Sequence, residues 1–222
     1  MIETKSYKWE GFKIVKLLHD DAAIHVSYDI MEWLSSINIK GKNVVDGGSN
    51  IGLISMVFSK MIGKDGVVYA FEIQSTIQDL AISNCISNKK KNIIHYNKAL
   101  SSQSGHKVGF THIDYSGQNI SSSGIKTESL LAGQPHCGEV ETIALDDMNL
   151  DNVGLIKLDL EGHEPKALEG MWETIDKCKP YLLIELSPVY LENKEQETID
   201  KILSHGYGVK ELSDCNYVFY PI

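Results

Sequence analysis

Asn43-Val44-Val45-Asp46-Gly47-Gly48-Ser49-Asn50-Ile51-Gly52 is the stretch that decides the fold, and a helical spacing of Ile51, Ile54, Phe58 and Ile62 follows it. A short apolar run that ends in paired glycines and passes into a 3.6-residue period predicts a buried strand, a tight turn and a covering helix. The same rhythm recurs downstream. Val67 to Glu72 is a second apolar run, and Ser75 to Ser87 reads as its helix, with Ser75 as N-cap and Ile77, Leu80, Ala81 and Cys85 as the apolar stripe. Asn92 to Tyr96 is a third strand, Leu155 to Leu160 a fourth, Pro165 to Cys178 a helix with proline in its first turn, and Tyr181 to Leu186 a fifth strand. Glu192 to His205 reads as a last helix, after which Tyr207 to Leu212 and Tyr217 to Tyr220 form a closing hairpin across residues 213 to 216.

Continuous apolar strands alternating with helices imply a mostly parallel sheet covered on both faces, with an antiparallel end. With no internal repeat or low-complexity tract, residues 1–222 are expected to form a single domain, a lead-in over 1–40 and a core over 41–222. Ser101 to Glu141 is rich in Ser, Gly and Asn and shows no period.

The composition, 42% hydrophobic and 23% charged over 222 residues, is that of a globular chain able to bury a core without staples. The 21 Lys and Arg against 30 Asp and Glu give a net charge of −9, which repels phosphate backbones and anionic lipid, so neither nucleic acid nor membrane is an expected partner. Cys85, Cys137, Cys178 and Cys215 carry no paired spacing, which fits a reducing cytoplasm. No apolar run reaches the length that spans a bilayer.

In an open parallel sheet, ligands bind beyond the carboxyl ends of the strands, which singles out the turn from Asp46 to Gly52. A dinucleotide turn needs G-x-G-x-x-G, of which only Gly48 and Gly52 are present, and the phosphate-binding G-x-x-x-x-G-K-[S/T] pattern is absent. Asp46 places a carboxylate beside a helix N-terminus, where a pyrophosphate would be repelled; a ligand with positive charge is expected instead. S-adenosylmethionine carries an ammonium and a sulfonium at one end. Its ribose hydroxyls suit an acidic residue at the tip of the second strand, where Glu72 stands. The expected cofactor contacts are Asp46, Gly47, Gly48, Ser49, Asn50, Gly52, Glu72 and Ile73, with Asn97 and Ala99 beside the adenine. The plainer reading makes Gly47-Gly48 a tight turn and Glu72 a solvated strand end.

On these residues the chain resembles the FkbM-type family of S-adenosylmethionine-dependent methyltransferases. The similarity is carried by Val45 to Gly52, Tyr69-Ala70-Phe71-Glu72, Lys98-Ala99-Leu100, Leu145-Asp146-Asp147, Ile156 to Glu164, and Lys179-Pro180 through Glu185. It spans roughly residues 40 to 190, and the run Lys157-x-Asp159-x-Glu161-Gly162-x-Glu164 is its most specific part. The resemblance implies a Rossmann-like class I methyltransferase fold: an α/β three-layer sandwich with a mostly parallel seven-stranded sheet and an antiparallel closing hairpin. It also implies methyl transfer, usually to an oxygen of a sugar or secondary metabolite. The expected partner is a small-molecule or glycan acceptor, with the oligomeric state open, a homodimer included.

Asp159 and Glu161, two apart at the end of the fourth strand, leave on one face if strand geometry continues, and His163, Glu164 and Glu185 can reach the same crevice. Methyl transfer needs alignment and a place for the acceptor's proton. Asp159 or His163 is the candidate base, with Glu161 and Glu185 orienting the acceptor. Two readings stand beside this one: Asp159 binds the methionine end of the cofactor, or Asp159, Glu161 and Glu185 hold Mg²⁺. Glu164 and Glu169 read as first-turn and surface charges, Trp33 and Trp172 as core, and the polar run Gly117 to Ser123 as a reader of a polyhydroxylated acceptor or a plain loop. The rival functions are an NAD-dependent oxidoreductase, disfavoured by the missing G-x-G, and a non-catalytic cofactor-binding subunit, disfavoured by the converging carboxylates.

Overall fold

The computed structural model describes residues 4–17, 26–112, 123–125, 138–213 and 215–222. A hairpin of β1 (Thr4–Trp9) and β2 (Phe12–Leu17) precedes helix α1 (Tyr28–Ser36). The core then alternates through β3 (Asn43–Gly47), α2 (Leu53–Ile62), β4 (Val68–Phe71), α3 (Ser75–Ser87) and β5 (Ile93–Tyr96). A second sheet intervenes, built from β6 (Ala99–Leu100), β7 (Lys107–His112), β8 (Ser123–Ile125) and β9 (Gly138–Ile143). Alternation resumes with β10 (Val153–Leu158), α4 (Glu164–Glu169), α5 (Trp172–Cys178), β11 (Tyr181–Glu185) and α6 (Glu195–Ser204), and ends in β12 (Tyr207–Glu211) and β13 (Asn216–Pro221).

The seven-stranded sheet has the order β12-β13-β11-β10-β3-β4-β5, and β13 alone runs antiparallel to its neighbours. The chain leaves β3 toward β4 and β5 on one side and returns to β10 and β11 on the other. The carboxyl ends of β3 and β10 therefore flank the switch point, where such sheets open a crevice.

Strand alternation explains the layers. Val44, Leu155, Leu183 and Val218 face one way, into a core with Leu34 of α1, Phe58 of α2 and Ile77 of α3. Their neighbours Val45, Ile156, Leu182 and Phe219 face the other way, against Leu168 of α4, Ile175 of α5 and Ile202 of α6. Each fully buried side chain of this size contributes roughly 1.5–3 kcal/mol, so both layers are anchored along their length.

Three elements differ from the sequence expectations. The helix expected over Pro165 to Cys178 breaks at Gly170-Met171, because Asp146 reaches across to cap a new start: its Oδ1 accepts from the Thr174 amide (2.8 Å) and hydroxyl (2.7 Å). Gly170 is pressed so closely on the Ser101 carbonyl that no Cβ fits between them. Within Ser101 to Glu141, Lys107–His112 forms a strand, and Gly138–Ile143 beyond it pairs with both β6 and β7. In the lead-in, Asn84 and Asn88 of α3 act as substitute backbone: Asn84 exchanges hydrogen bonds with the N–H (2.7 Å) and C=O (3.0 Å) of Val15, and Asn88 does so with Lys13 (2.9 and 2.7 Å). Residues 117–122 of the polar run, with His19, His25 and Cys137, lie outside the described residues.

Gly48, at φ +72°, sits where the first turn crosses the end of β10, and a Cβ there would run into the carbonyl oxygen of Asp159. Gly41 has a similar φ of +73° with open space around it. Gly41→Ala is expected to cost only the conformational penalty, about 1–2 kcal/mol, and Gly48→Ala about 3 kcal/mol or more, since backbone must move. Urea denaturation checks this; equal losses would contradict the close crossing.

Candidate active site

The carboxyl ends of β3, β4, β10 and β11 surround a cavity of about 290 Å³, near the lower end of the range for small-molecule sites. In its wall stands Lys157, a charged residue in a strand whose neighbours Leu155, Ile156 and Leu158 are fully buried. An ammonium in such surroundings costs several kcal/mol unless it is surrounded by oxygens. Lys157 Nζ donates to the carbonyls of Gly47 (3.2 Å) and Gly48 (3.0 Å), and lies 3.1 Å from Asp159 and 3.8 Å from Asp46. Burial alone would lower its pKa; Asp159 and Asp46 outweigh that and hold it above the usual lysine value.

Asp46 corrects an expectation. It is wholly buried, accepts a hydrogen bond from the Ser55 hydroxyl, pairs with Lys157, and does not line the cavity. Burial raises its pKa, with Lys157 and Ser55 only partly opposing. It faces Lys157 and Ser55 and not the cavity, so the charge a ligand would meet comes from elsewhere. Gly47 and Gly52 also stand back from the cavity, packed on Leu100 and Leu158 and on Ala81.

Gly48, Ser49 and Asn50 do line the cavity, and the Ser49 hydroxyl is buried there with no hydrogen-bond partner among the described residues. Glu72 lines it too. Its two oxygens accept from the amides of Asn50 (3.0 Å) and Gln74 (2.9 Å), and burial pushes its pKa up to about 7. Glu72 is thus a buried group that holds the first turn, and the solvated strand end is not what the structure contains. Ile73 and Ala99 line the same flank, whereas Asn97 stands behind it, its amide donating to the carbonyls of Glu72 (2.8 Å) and Ile73 (2.9 Å).

On the opposite flank β10 stops at Leu158, and Glu161 takes a left-handed φ of +55°. Asp159 and Glu161 therefore do not leave as alternate residues of one strand; a tight turn brings both to the cavity, together with His163 and Glu185. Glu185 is hydrogen-bonded to Asp159, and burial, then the charges of Asp159 and Glu161, push its pKa well above the carboxylate range. His163 is 9% exposed, with Nε2 3.1 Å from the Ser101 hydroxyl; burial lowers its pKa to about 4, leaving a neutral imidazole. Among the described residues, no three His, Cys, Asp or Glu side chains are grouped to hold a metal ion, so the geometry lends the Mg²⁺ reading no support. Glu169 is a surface charge paired with Lys166 (2.7 Å), but Glu164 is buried.

Sequence reasoning assigned no role to Lys157, although a lysine inside an apolar strand was the signal. It also passed over Ser101 and the wall formed by Val26, Ser27 and Ile30, which Asp29 ties to the Ser213 hydroxyl (2.8 Å) of the closing hairpin.

Sheet order, switch-point cavity and acidic flank define the class I methyltransferase fold. The family model of the methyltransferase FkbM domain matches residues 46–219, and the chain belongs to that family. Among solved structures it is similar to the FkbM methyltransferase of Methylobacillus flagellatus (17% identity, TM-score 0.58), with 83% of this chain covered but 44% of that one. It thus spans less than half of that protein's length. A SAM-dependent methyltransferase of Aquifex aeolicus matches at 17% identity and TM-score 0.51, covering 91% and 93% of the two chains. SMU.1697c of Streptococcus mutans, in complex with SAH, matches at 10% identity and TM-score 0.53, covering 88% and 97%. No curated protein matches the sequence.

Lys157→Met is expected to cost about 3–5 kcal/mol, because Asp46 is left as an uncompensated buried acid. Adding Asp46→Asn should recover part of the loss. Chemical denaturation of both variants checks this, and a single variant as stable as the wild type would refute the clamp.

Proposed function

We propose that this chain transfers the methyl group of S-adenosylmethionine to a hydroxyl oxygen of a small-molecule or glycan acceptor, a sugar or secondary metabolite. The observation that carries the reading is the division of one cavity into two flanks: the glycine turn with Glu72 on one, and Asp159, His163 and Glu185 on the other. The residues suit the cofactor. A carboxylate offers about four lone-pair sites; Glu72 turns to the amides of Asn50, Gln74 and Ile73, which leaves capacity for a ribose hydroxyl. The unpartnered Ser49 hydroxyl adds a polar contact on the same flank. Both lysines that line the cavity are already paired, Lys98 with Glu141 and Lys157 with Asp46 and Asp159. A dinucleotide's diphosphate would meet Glu72, Asp159 and Glu161 without a spare cation among these residues, which disfavours NAD.

When bound, S-adenosylmethionine supplies an electrophilic methyl group on a sulfonium centre. A hydroxyl that takes it must release a proton, and Asp159 and neutral His163 are the groups on the acceptor flank able to receive one. Such a base contributes roughly 10²–10⁴-fold. Glu185, hydrogen-bonded to Asp159, and Glu161 orient the acceptor. No helix among the described residues is long and apolar enough to cross a membrane. Free Cys85 and Cys178 and the net charge of −9 support a cytoplasmic setting without nucleic-acid or membrane partners.

Titration calorimetry with S-adenosylhomocysteine and with NAD tests the cofactor, and labelled methyl transfer to a panel of hydroxylated acceptors tests the reaction. The expected result is binding of S-adenosylhomocysteine alone, weakened about tenfold or more by Glu72→Ala. Asp159→Asn should keep that binding and lose about 100-fold in turnover. Binding of NAD alone would refute the cofactor, and near-normal turnover in both Asp159→Asn and His163→Ala would refute the base.

A further inference from the structure

The strip from Asp159 to His163 supplies one wall of the cavity, yet it belongs to no regular element: β10 ends at Leu158 and α4 begins at Glu164. Its backbone is an unfavourable one. Glu161 at φ +55° is a side-chain-bearing residue in the left-handed region, and Gly162 follows at φ +95°, where a Cβ would lie 2.9 Å from the Tyr190 side chain. Such a turn persists only where its surroundings over-determine it. One backbone bond closes it, from the His163 amide to the Leu160 carbonyl at 3.3 Å.

A single side chain gathers two more of its amides. Glu164 Oε1 accepts from Leu160 N at 2.6 Å and from Gly162 N at 3.4 Å. The residue is 1% exposed, its Oε2 is buried with no hydrogen-bond partner among the described residues, and it does not line the cavity. A plain helix-dipole role leaves a first-turn carboxylate in solvent, as with the exposed Glu173 of α5, and it explains neither this burial nor two bonds aimed backward out of the helix. Burial pushes the Glu164 pKa up to about 7, and the charge of Asp159 adds to that. A side chain held in this setting has a geometric task.

Resting on the reading of this cavity as a methyl-transfer site, we propose that Glu164 is the positioning residue of its acidic wall, folding the 159–162 turn so that Asp159 and Glu161 face the cavity while it touches no ligand itself. The role belongs to one acceptor oxygen and not to a negative charge. Glu164→Gln, which keeps a carbonyl oxygen, should therefore preserve it, and Glu164→Ala should lose it.

Two measurements on the full chain decide this: amide hydrogen exchange without ligand, and calorimetry with S-adenosylhomocysteine. In Glu164→Ala the Leu160 and Gly162 amides are expected to exchange about tenfold faster than in the wild type, and affinity to fall about tenfold. In Glu164→Gln both readouts should stay within about threefold. A core variant in α6, Ile202→Ala, should lower the melting temperature without selectively exposing those two amides. Wild-type exchange at both amides in Glu164→Ala, or equal losses in Glu164→Gln and Glu164→Ala, would overturn the proposal. If Glu164→Ala does not fold, retained protection in Glu164→Gln supports the proposal and lost protection overturns it. A wild type that protects both amides yet ignores S-adenosylhomocysteine would sink the methyl-transfer reading and leave the positioning role standing.

Discussion

A buried ammonium cannot be left without oxygens, and at the centre of this sheet that constraint joins two strands. Lys157 gathers two carbonyls from the end of β3 and two carboxylates, one from β3 and one just past β10. Buried ion clusters seldom stabilise more than the apolar side chains that could replace them, because desolvation consumes most of the Coulombic gain. What this one contributes is geometry. The carbonyls of Gly47 and Gly48 are held toward β10, Gly48 is pressed on the Asp159 carbonyl with no room for a Cβ, and Asp159 is drawn to the inner side of the cavity. The first turn and the acidic flank are thereby one unit.

The clamp also decides which charges a ligand meets. Behind the cavity Asp46 is turned to Lys157 and Ser55, and Glu185 is hydrogen-bonded to Asp159. The carboxyl groups that line the cavity are Glu72 on one flank and Asp159, Glu161 and Glu185 on the other. A molecule with hydroxyl donors at one end and positive charge at the other suits that distribution, and a diphosphate does not.

Most of the sheet was legible because buried parallel strands leave continuous apolar runs, and helix α3 spans the residues expected from its stripe and Ser75, although Gln74 and not Ser75 is the N-cap. What escaped was determined by partners distant in sequence. Nothing within Pro165 to Cys178 reveals that Asp146 caps a helix at Trp172, and nothing in the lead-in reveals that Asn84 and Asn88 take the place of a third strand for its hairpin. The alternation of Glu139, Val140, Glu141 and Thr142 was a usable strand signal, hidden by polar surroundings. At the site, Glu72 and the first turn were placed by sheet topology, since strand ends are predictable positions. The acidic wall was misjudged because a two-residue spacing was read as strand, while the turn with its left-handed Glu161 is held by Glu164 through contacts the spacing does not encode.

The account stands or falls on how the two flanks share one ligand, and a crystal structure of the chain with S-adenosylhomocysteine measures that directly. It should show the ribose hydroxyls on Glu72 and, past the sulfur, an acceptor space bounded by Asp159, His163 and Glu185. A ligand seated with its ribose away from Glu72, or with its sulfur turned from the acidic flank, would contradict it.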